Sequence, residues 1–212
     1  GWNVVVSSPT DDARRLTPIE TGGTAPITRS VFVDLDATGQ EWIGVGGAFT
    51  DAAADLLRGD EEALALLFDP TRPDGAQLDV GRLPLSATDF SASSWTWEWN
   101  AASGSATPPP EARRAVDVVL AANRINQDLR LVATPWTAPS SMIADDGALS
   151  VEDEDDYAAL LGRQLDWLLA EGVPVDAISL ANEPGHVAGY PSMTMSDDQM
   201  IRLAQAIRPK LD

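Results

Sequence analysis

The sequence predicts an α/β fold in which parallel strands alternate with crossover helices. Three observations carry this expectation. Beyond residue 40, short apolar runs alternate with segments of helical period four times over. Each run reads as buried on both faces, as strands of a parallel sheet do. A polar or aromatic residue follows each run: Asp51, Asp89, Trp136 and Glu183. Such units build either a doubly wound sheet or part of a barrel. No glycine-rich phosphate loop is present, since "GVGGAF" (44–49) has the wrong spacing. The recurrence of reactive and aromatic residues behind the strands favours the barrel, which places its chemistry at the carboxyl ends of its strands.

The elements follow in order. Val4–Ser7 and Val31–Asp36 read as strands from their β-branched content, with Pro-, Gly- and Thr-rich turns between them. They form a small β segment, 1–40, ahead of the repeating part, 41–212. Trp42–Phe49 is the first strand of the repeat, with a glycine pair that lets a backbone or ligand approach closely. Residues 50–68 read as one helix, with Leu56, Leu57, Leu64, Leu67 and Phe68 near helical spacing and Asp in the first turn. The second strand is 77–87; after a long loop a helix over 110–125 opens on proline. The third strand is 129–136, followed by a helix over about 151–171, with Ser150 and Asp153 as a candidate capping pair. "DAISLANE" (176–183) is the fourth strand, and 196–207 the last helix, with Ser196 and Gln199 as a capping box.

Composition narrows the function classes. The chain has 33 acidic and 14 basic residues, a net charge of −19, and Lys210 is its only lysine. So acidic a surface repels nucleic acid and anionic lipid, and is read as a solubility feature. The absence of cysteine excludes disulfides, thiolate metal sites and a Cys nucleophile. With His186 the sole histidine, a Ser-His-Asp triad or a metal site is not expected, and His186 is placed on a solvated loop. No apolar run approaches the ~18–20 residues of a membrane span, and the N-terminus lacks the pattern of a signal peptide. The chain opens with Gly1, which suggests a processed form or a fragment. The compartment stays open, leaning to an extracellular one.

Four stretches, "GVGGAFTDAAA" (44–54), "GRLPLSATDFSASSWTW" (81–97), "VATPWTAPSSM" (132–142) and "SLANEPGHVAGYP" (179–191), resemble glycoside hydrolase family 30. This is the family of lysosomal-type glucosylceramidases and related β-glycosidases. The matches fall in family order, one per strand, over about residues 40–200. The resemblance implies a (β/α)8 TIM barrel, of which this chain holds the first four units, with the β segment part of a side domain. It implies a retaining β-glycosidase that uses no metal or organic cofactor.

The resemblance also implies roles. Glu183 is the general acid/base, protonating the glycosidic oxygen and later deprotonating the attacking water, work for a carboxyl in a semi-enclosed site. Asn182 hydrogen-bonds the sugar 2-hydroxyl. Asp89 binds sugar hydroxyls and fixes the ring, a positioning role. Trp136 lines the sugar site with an indole face. Arg82 lies near the carboxylates and helps set their charge. Phe90 and Tyr190 shape the pocket rim. Trp95, Trp97 and Trp99 form either an aromatic wall for sugar or lipid, or a half-buried loop packed on the barrel. Taken alone, a glutamate before proline at a strand end is an ordinary loop carboxylate; the other three motifs single out Glu183.

The chain departs from the family pattern in one respect. A retaining glycosidase needs two carboxyls about 5–5.5 Å apart, and the family's nucleophile is a glutamate at the end of strand seven. Glu41, Glu61, Glu111, Glu152 and Glu171 lie on helices or loops by pattern, and Glu98 falls in a loop the family does not use for chemistry. Eight units need roughly 250 residues. The expectation is a fragment or half of an assembly, inactive alone, with open sheet edges. The expected partners are a carbohydrate or glycolipid substrate, and at the edges either the remaining barrel half or a second copy. The alternative is a non-catalytic carbohydrate-binding half-barrel that keeps Asp89, Trp136 and Asn182. Within enzymes, β-1,6-glucanase and β-xylosidase specificities compete, and "GGAFTDAAA" with "TDFS" looks closer to the glucosylceramidase-like branch.

Overall fold

The computed structural model describes residues 36–211 together with residues 5, 6, 10, 17, 18 and 34. The chain divides into two units, Gly1–Trp42 and Ile43–Asp212. In the first, β1 (Val5–Val6) pairs antiparallel with β2 (Thr17–Pro18). Most of the expected strand Val31–Asp36 lies outside the described residues. Where it is described, the Asp36 N–H donates to Asp34 Oδ1 at 3.0 Å, a turn rather than a strand.

The second unit runs β3 (Gly46–Ala48), α1 (Asp51–Leu57), α2 (Glu61–Phe68), β4 (Val80–Pro84), β5 (Glu98–Asn100), β6 (Ser105–Thr107) and α3 (Pro110–Ile125). It continues through β7 (Arg130–Thr134), α4 (Glu154–Ala170), β8 (Val175–Ile178) and α5 (Asp197–Ile207). β3, β4, β7 and β8 form one parallel sheet in that order. Sheet order equals chain order, and parallel crossovers are right-handed, so every connecting helix goes to the same face. That is the barrel arrangement; a doubly wound sheet reverses direction part-way and covers both faces.

The core lies between the sheet and those helices. Leu83 of β4 and Leu131 and Ala133 of β7 are buried with Val116 and Val119 of α3 and Leu161 and Leu165 of α4. Alternation along each strand then turns Arg82 and Val132 to the opposite face. Gly81 has to be glycine, because a Cβ there would sit 2.8 Å from Leu131 Cδ2 and closer still to the Phe49 ring.

Several expectations are corrected. The single helix over 50–68 is two helices. Gly59 takes φ +84°, and Asp60 restarts the chain as a cap, its Oδ1 accepting from the Ala63 N–H at 2.9 Å. Leu64 and Phe68 are buried, but Leu56 is 81% exposed. Burial on both faces holds for none of the outer positions: β3 is exposed throughout, as are Asp176 and Ala177 of β8. The fourth strand stops at Ile178, because the register with β7 slips between Leu131 and Val132. Asp176 fills the slip, its Oδ2 accepting the Leu131 N–H at 2.7 Å.

Beyond the slip the chain still tracks β7, with Ser179 N–H to Ala133 O at 2.9 Å and Asn182 N–H to Pro135 O at 2.8 Å. The Ser150–Asp153 cap does not form; a 3-10 turn, Val151–Asp153, leads into α4 instead. The Ser196–Gln199 box does form, and α3 spans the expected residues. The long loop after the second strand contains the β5–β6 hairpin. No helix among the described residues is long and apolar enough to cross a membrane.

Candidate active site

The carboxyl ends of β3, β4 and β7 and the segment after β8 surround a cavity of about 280 Å³. The structure brings all seven residues singled out from the sequence to this one cavity: Arg82, Asp89, Phe90, Trp136, Asn182, Glu183 and Tyr190. Ala48 and Thr50 complete it.

Glu183 has φ +45°, the left-handed region that non-glycine residues rarely adopt, and a residue before proline is driven towards extended backbone. The surrounding bonds hold it there: Asn182 N–H to Pro135 O, His186 N–H to Glu183 O and Met195 N–H to Pro184 O, at 2.8, 2.9 and 2.9 Å. Conformations of this kind cost about 1–3 kcal/mol and concentrate at functional positions. The twist turns the carboxylate to two donors on the same oxygen: Tyr190 OH to Oε2 at 2.9 Å and Asn182 Nδ2 to Oε2 at 3.2 Å. Donating to Glu183 raises the Tyr190 phenol above its ordinary pKa.

Arg82 organises the wall opposite. Its Nη2 donates to Asn182 Oδ1 at 2.9 Å and its Nε to Thr134 Oγ1 at 3.2 Å. The guanidinium lies 4.3 Å from the centre of the Trp136 ring, a cation–π contact. Partial burial draws its pKa below the ordinary value, against the opposing pull of Glu183 and then Asp89; it stays charged at neutral pH. Arg82 thus reaches Glu183 through the Asn182 amide, not by a direct ion pair. Because Oδ1 is taken by Arg82, Asn182 must present its NH₂ to Glu183.

Trp136 is 6% exposed, with Arg82 across one face of its ring. Its strand end is fixed by Ser86, whose Oγ accepts the backbone N–H groups of Trp136 and Thr137 at 2.9 and 3.0 Å. Asp89 and Phe90 are exposed on a tight turn, Phe90 at 69%. Ser91 Oγ accepts the Thr88 N–H at 2.8 Å and donates to Asp51 Oδ1 at 2.5 Å. Asp51, expected at the active face, is buried and outside the cavity, and steadies the turn that carries Asp89.

None of the three tryptophans of the loop after β4 lines this cavity. Trp97 is buried and packs edge-on against Trp167 of α4 at 5.1 Å. Trp95 lines a larger neighbouring cavity of about 570 Å³, which shares Tyr190 with the first. His186 is exposed. The sequence did not single out Thr50, Ser86 or Ser91, and nothing in their local pattern marks them. They become significant only when strands 34–51 residues apart in sequence converge.

The family profile of the glycosyl hydrolase family 30 TIM-barrel domain matches residues 43–194. Among curated proteins, Putative glucosylceramidase 2 of Caenorhabditis elegans is 28% identical over 149 residues, which cover 66% of this chain and 28% of that protein. Putative glucosylceramidase 3 of the same organism is 25% identical over 120 residues, covering 53% of this chain and 23% of that protein. Among solved structures, SrfJ from Salmonella typhimurium superposes with a TM-score of 0.74 at 25% identity, over 81% of this chain and 41% of that one. An endo-β1,6-glucanase superposes with a TM-score of 0.75 at 20% identity, over 94% and 47%, a likeness of fold alone. The chain spans less than half the length of each of these proteins.

Proposed function

The chain belongs to glycosyl hydrolase family 30, and from that premise we propose that it carries the acid/base half of a retaining β-glycosidase site. The observation that supports this best is the bonded chain Arg82–Asn182–Glu183–Tyr190, facing Asp89 across one cavity at the strand ends. Both donors to Glu183 use Oε2, which leaves Oε1 for the glycosidic oxygen. There Glu183 protonates the departing oxygen and later takes a proton from the attacking water. Asn182 spends one NH₂ hydrogen on Glu183 and offers the other to the sugar 2-hydroxyl, a contact that strengthens at the oxocarbenium-like transition state. Asp89 accepts two sugar hydroxyls and sets the ring, and Trp136 supplies an apolar wall.

Retention needs a second carboxylate about 5–5.5 Å from the first to act as nucleophile. Among the described residues, Asp89 is the only other carboxylate lining the cavity, and it is assigned to hydroxyl binding. The 212-residue chain therefore binds the sugar without turning it over. The names of the relatives, glucosylceramidase and endo-β1,6-glucanase, support a β-glucoside as substrate.

The test has two parts. A cationic iminosugar, which mimics the developing positive charge, should bind the chain by saturation-transfer NMR, weaken on Glu183→Gln and be lost on Asp89→Ala. An aryl β-glucoside should release no phenol. Turnover that survives Glu183→Gln overturns the acid/base assignment, and turnover abolished by it overturns only the claim of inactivity. Neutral sugar binding indifferent to Glu183 favours the alternative, a purely carbohydrate-binding half-barrel.

A further inference from the structure

We propose that the 570 Å³ cavity beside the sugar cavity receives the leaving-group side of the substrate, and that this group is a second, neutral sugar. The inference rests on Glu183 being the acid/base. An acid/base must face the oxygen of the departing group, so that group lies on its own side of the site. Tyr190 marks the place: its hydroxyl donates to Glu183 Oε2, and its side chain lines both cavities. The two spaces therefore adjoin at the residue bonded to the proton donor. A volume of 570 Å³ falls within the ordinary range for small-molecule sites, roughly 300–1,000 Å³.

The lining indicates what enters. Hydroxyls come from Ser94, Thr96, Thr137, Ser140, Ser192 and Thr194, and the apolar share from Trp95, Ile143 and Val187. Tyr190 is the only titratable residue among those lining it. In a chain with 33 acidic residues, a cavity lined by no carboxylate avoids the strongest competition for a neutral ligand's hydroxyls. No lysine or arginine lines it either, so a uronic acid would lose water without gaining a cation. A pyranose ring matches the remaining mix, with hydroxyls at its edge and C–H groups on its face.

Titration with three probes tests this on the 212-residue chain: methyl β-glucoside, a neutral β-linked diglucoside, and a glucuronosyl-glucose with the acid placed as the second residue. Affinities are read from NMR shifts. The diglucoside is expected to bind about tenfold tighter than the monosaccharide, and the acidic disaccharide no tighter than the monosaccharide. Ser140 and Ser94 are both exposed, so Ser140→Trp and, independently, Ser94→Trp should fill the second cavity without disturbing the core. Each should remove the diglucoside's advantage and leave methyl β-glucoside binding unchanged.

A diglucoside no tighter than the monosaccharide, an acidic probe equal to the neutral one, or an advantage that survives both filling variants overturns the proposal while leaving Glu183 and Asp89 their roles. No binding by any probe overturns the glycosidase reading and this inference together.

Discussion

Arg82→Met removes the group that joins both sides of the site while leaving a chain of similar length. The variant loses the Nη2 bond to Asn182 Oδ1, the Nε bond to Thr134 Oγ1 and the contact with Trp136. A hydrogen bond to a charged group contributes about 1.5–3 kcal/mol, and a partly exposed cation–π contact about 0.5–1 kcal/mol. Removing a half-buried charge recovers part of this, so the net destabilisation should be about 2–3 kcal/mol. For a chain of this size each kcal/mol moves Tm by about 2–4 °C, which gives a drop of roughly 4–12 °C. Arg82→Lys keeps the charge without the planar fork and should recover only part of the loss.

The decisive measurement is a double-mutant cycle with Asn182→Ala in urea, followed by the fluorescence of the seven tryptophans. If Arg82 holds the Asn182 amide, the two substitutions should couple by about 1–2 kcal/mol. Additivity within about 0.3 kcal/mol would refute the bonded chain.

Three further outcomes are expected. Glu183→Gly should be more stable than Glu183→Ala by about 1 kcal/mol in a denaturant titration, because only glycine takes φ +45° without strain; equal stabilities would show that the conformation is relaxed. Tyr157 is fully buried and Tyr190 donates to Glu183, so both phenols, the only two in the chain, are held above their ordinary pKa. Above about pH 10 the unfolded chain releases the Tyr157 proton while the folded chain keeps it, so stability should fall by about 1.4 kcal/mol per pH unit; phenolate absorbance should show one tyrosine ionising before unfolding and one only with it. Asp51→Ala leaves the Ser91 hydroxyl without its acceptor, at a cost of about 1–3 kcal/mol. It should also weaken methyl β-glucoside binding through the loosened Asp89 turn, and an unchanged affinity would remove Asp51 from the site's support.

Much of this protein is written in local pattern. The helices 110–125 and 196–207 are legible because proline at the first position and the Ser196–Gln199 box are short-range chemistry, settled within one turn. The seven residues of the cavity are legible as well, since each stands directly behind an apolar strand and parallel strands deliver their carboxyl ends to one side.

Tertiary packing decided the rest, for reasons no local window contains. The 50–68 segment breaks at Gly59 because the restart at Asp60 sends Leu64 and Phe68, not Leu56, into the core. The fourth strand ends early because Asp176 is drawn out of register by a backbone N–H that lies 45 residues earlier. Trp97 is core rather than sugar wall because α4 brings Trp167 against it. Glu183 is a strand-end carboxylate in the sequence. In the fold it is a strained residue whose one oxygen is already occupied, held by a tyrosine seven residues on and, through Asn182, by an arginine 100 residues back from that amide. Residue type and spacing suffice to name the candidates. Only long-range hydrogen bonds, made once the strands converge, decide which atoms of those candidates are free to act.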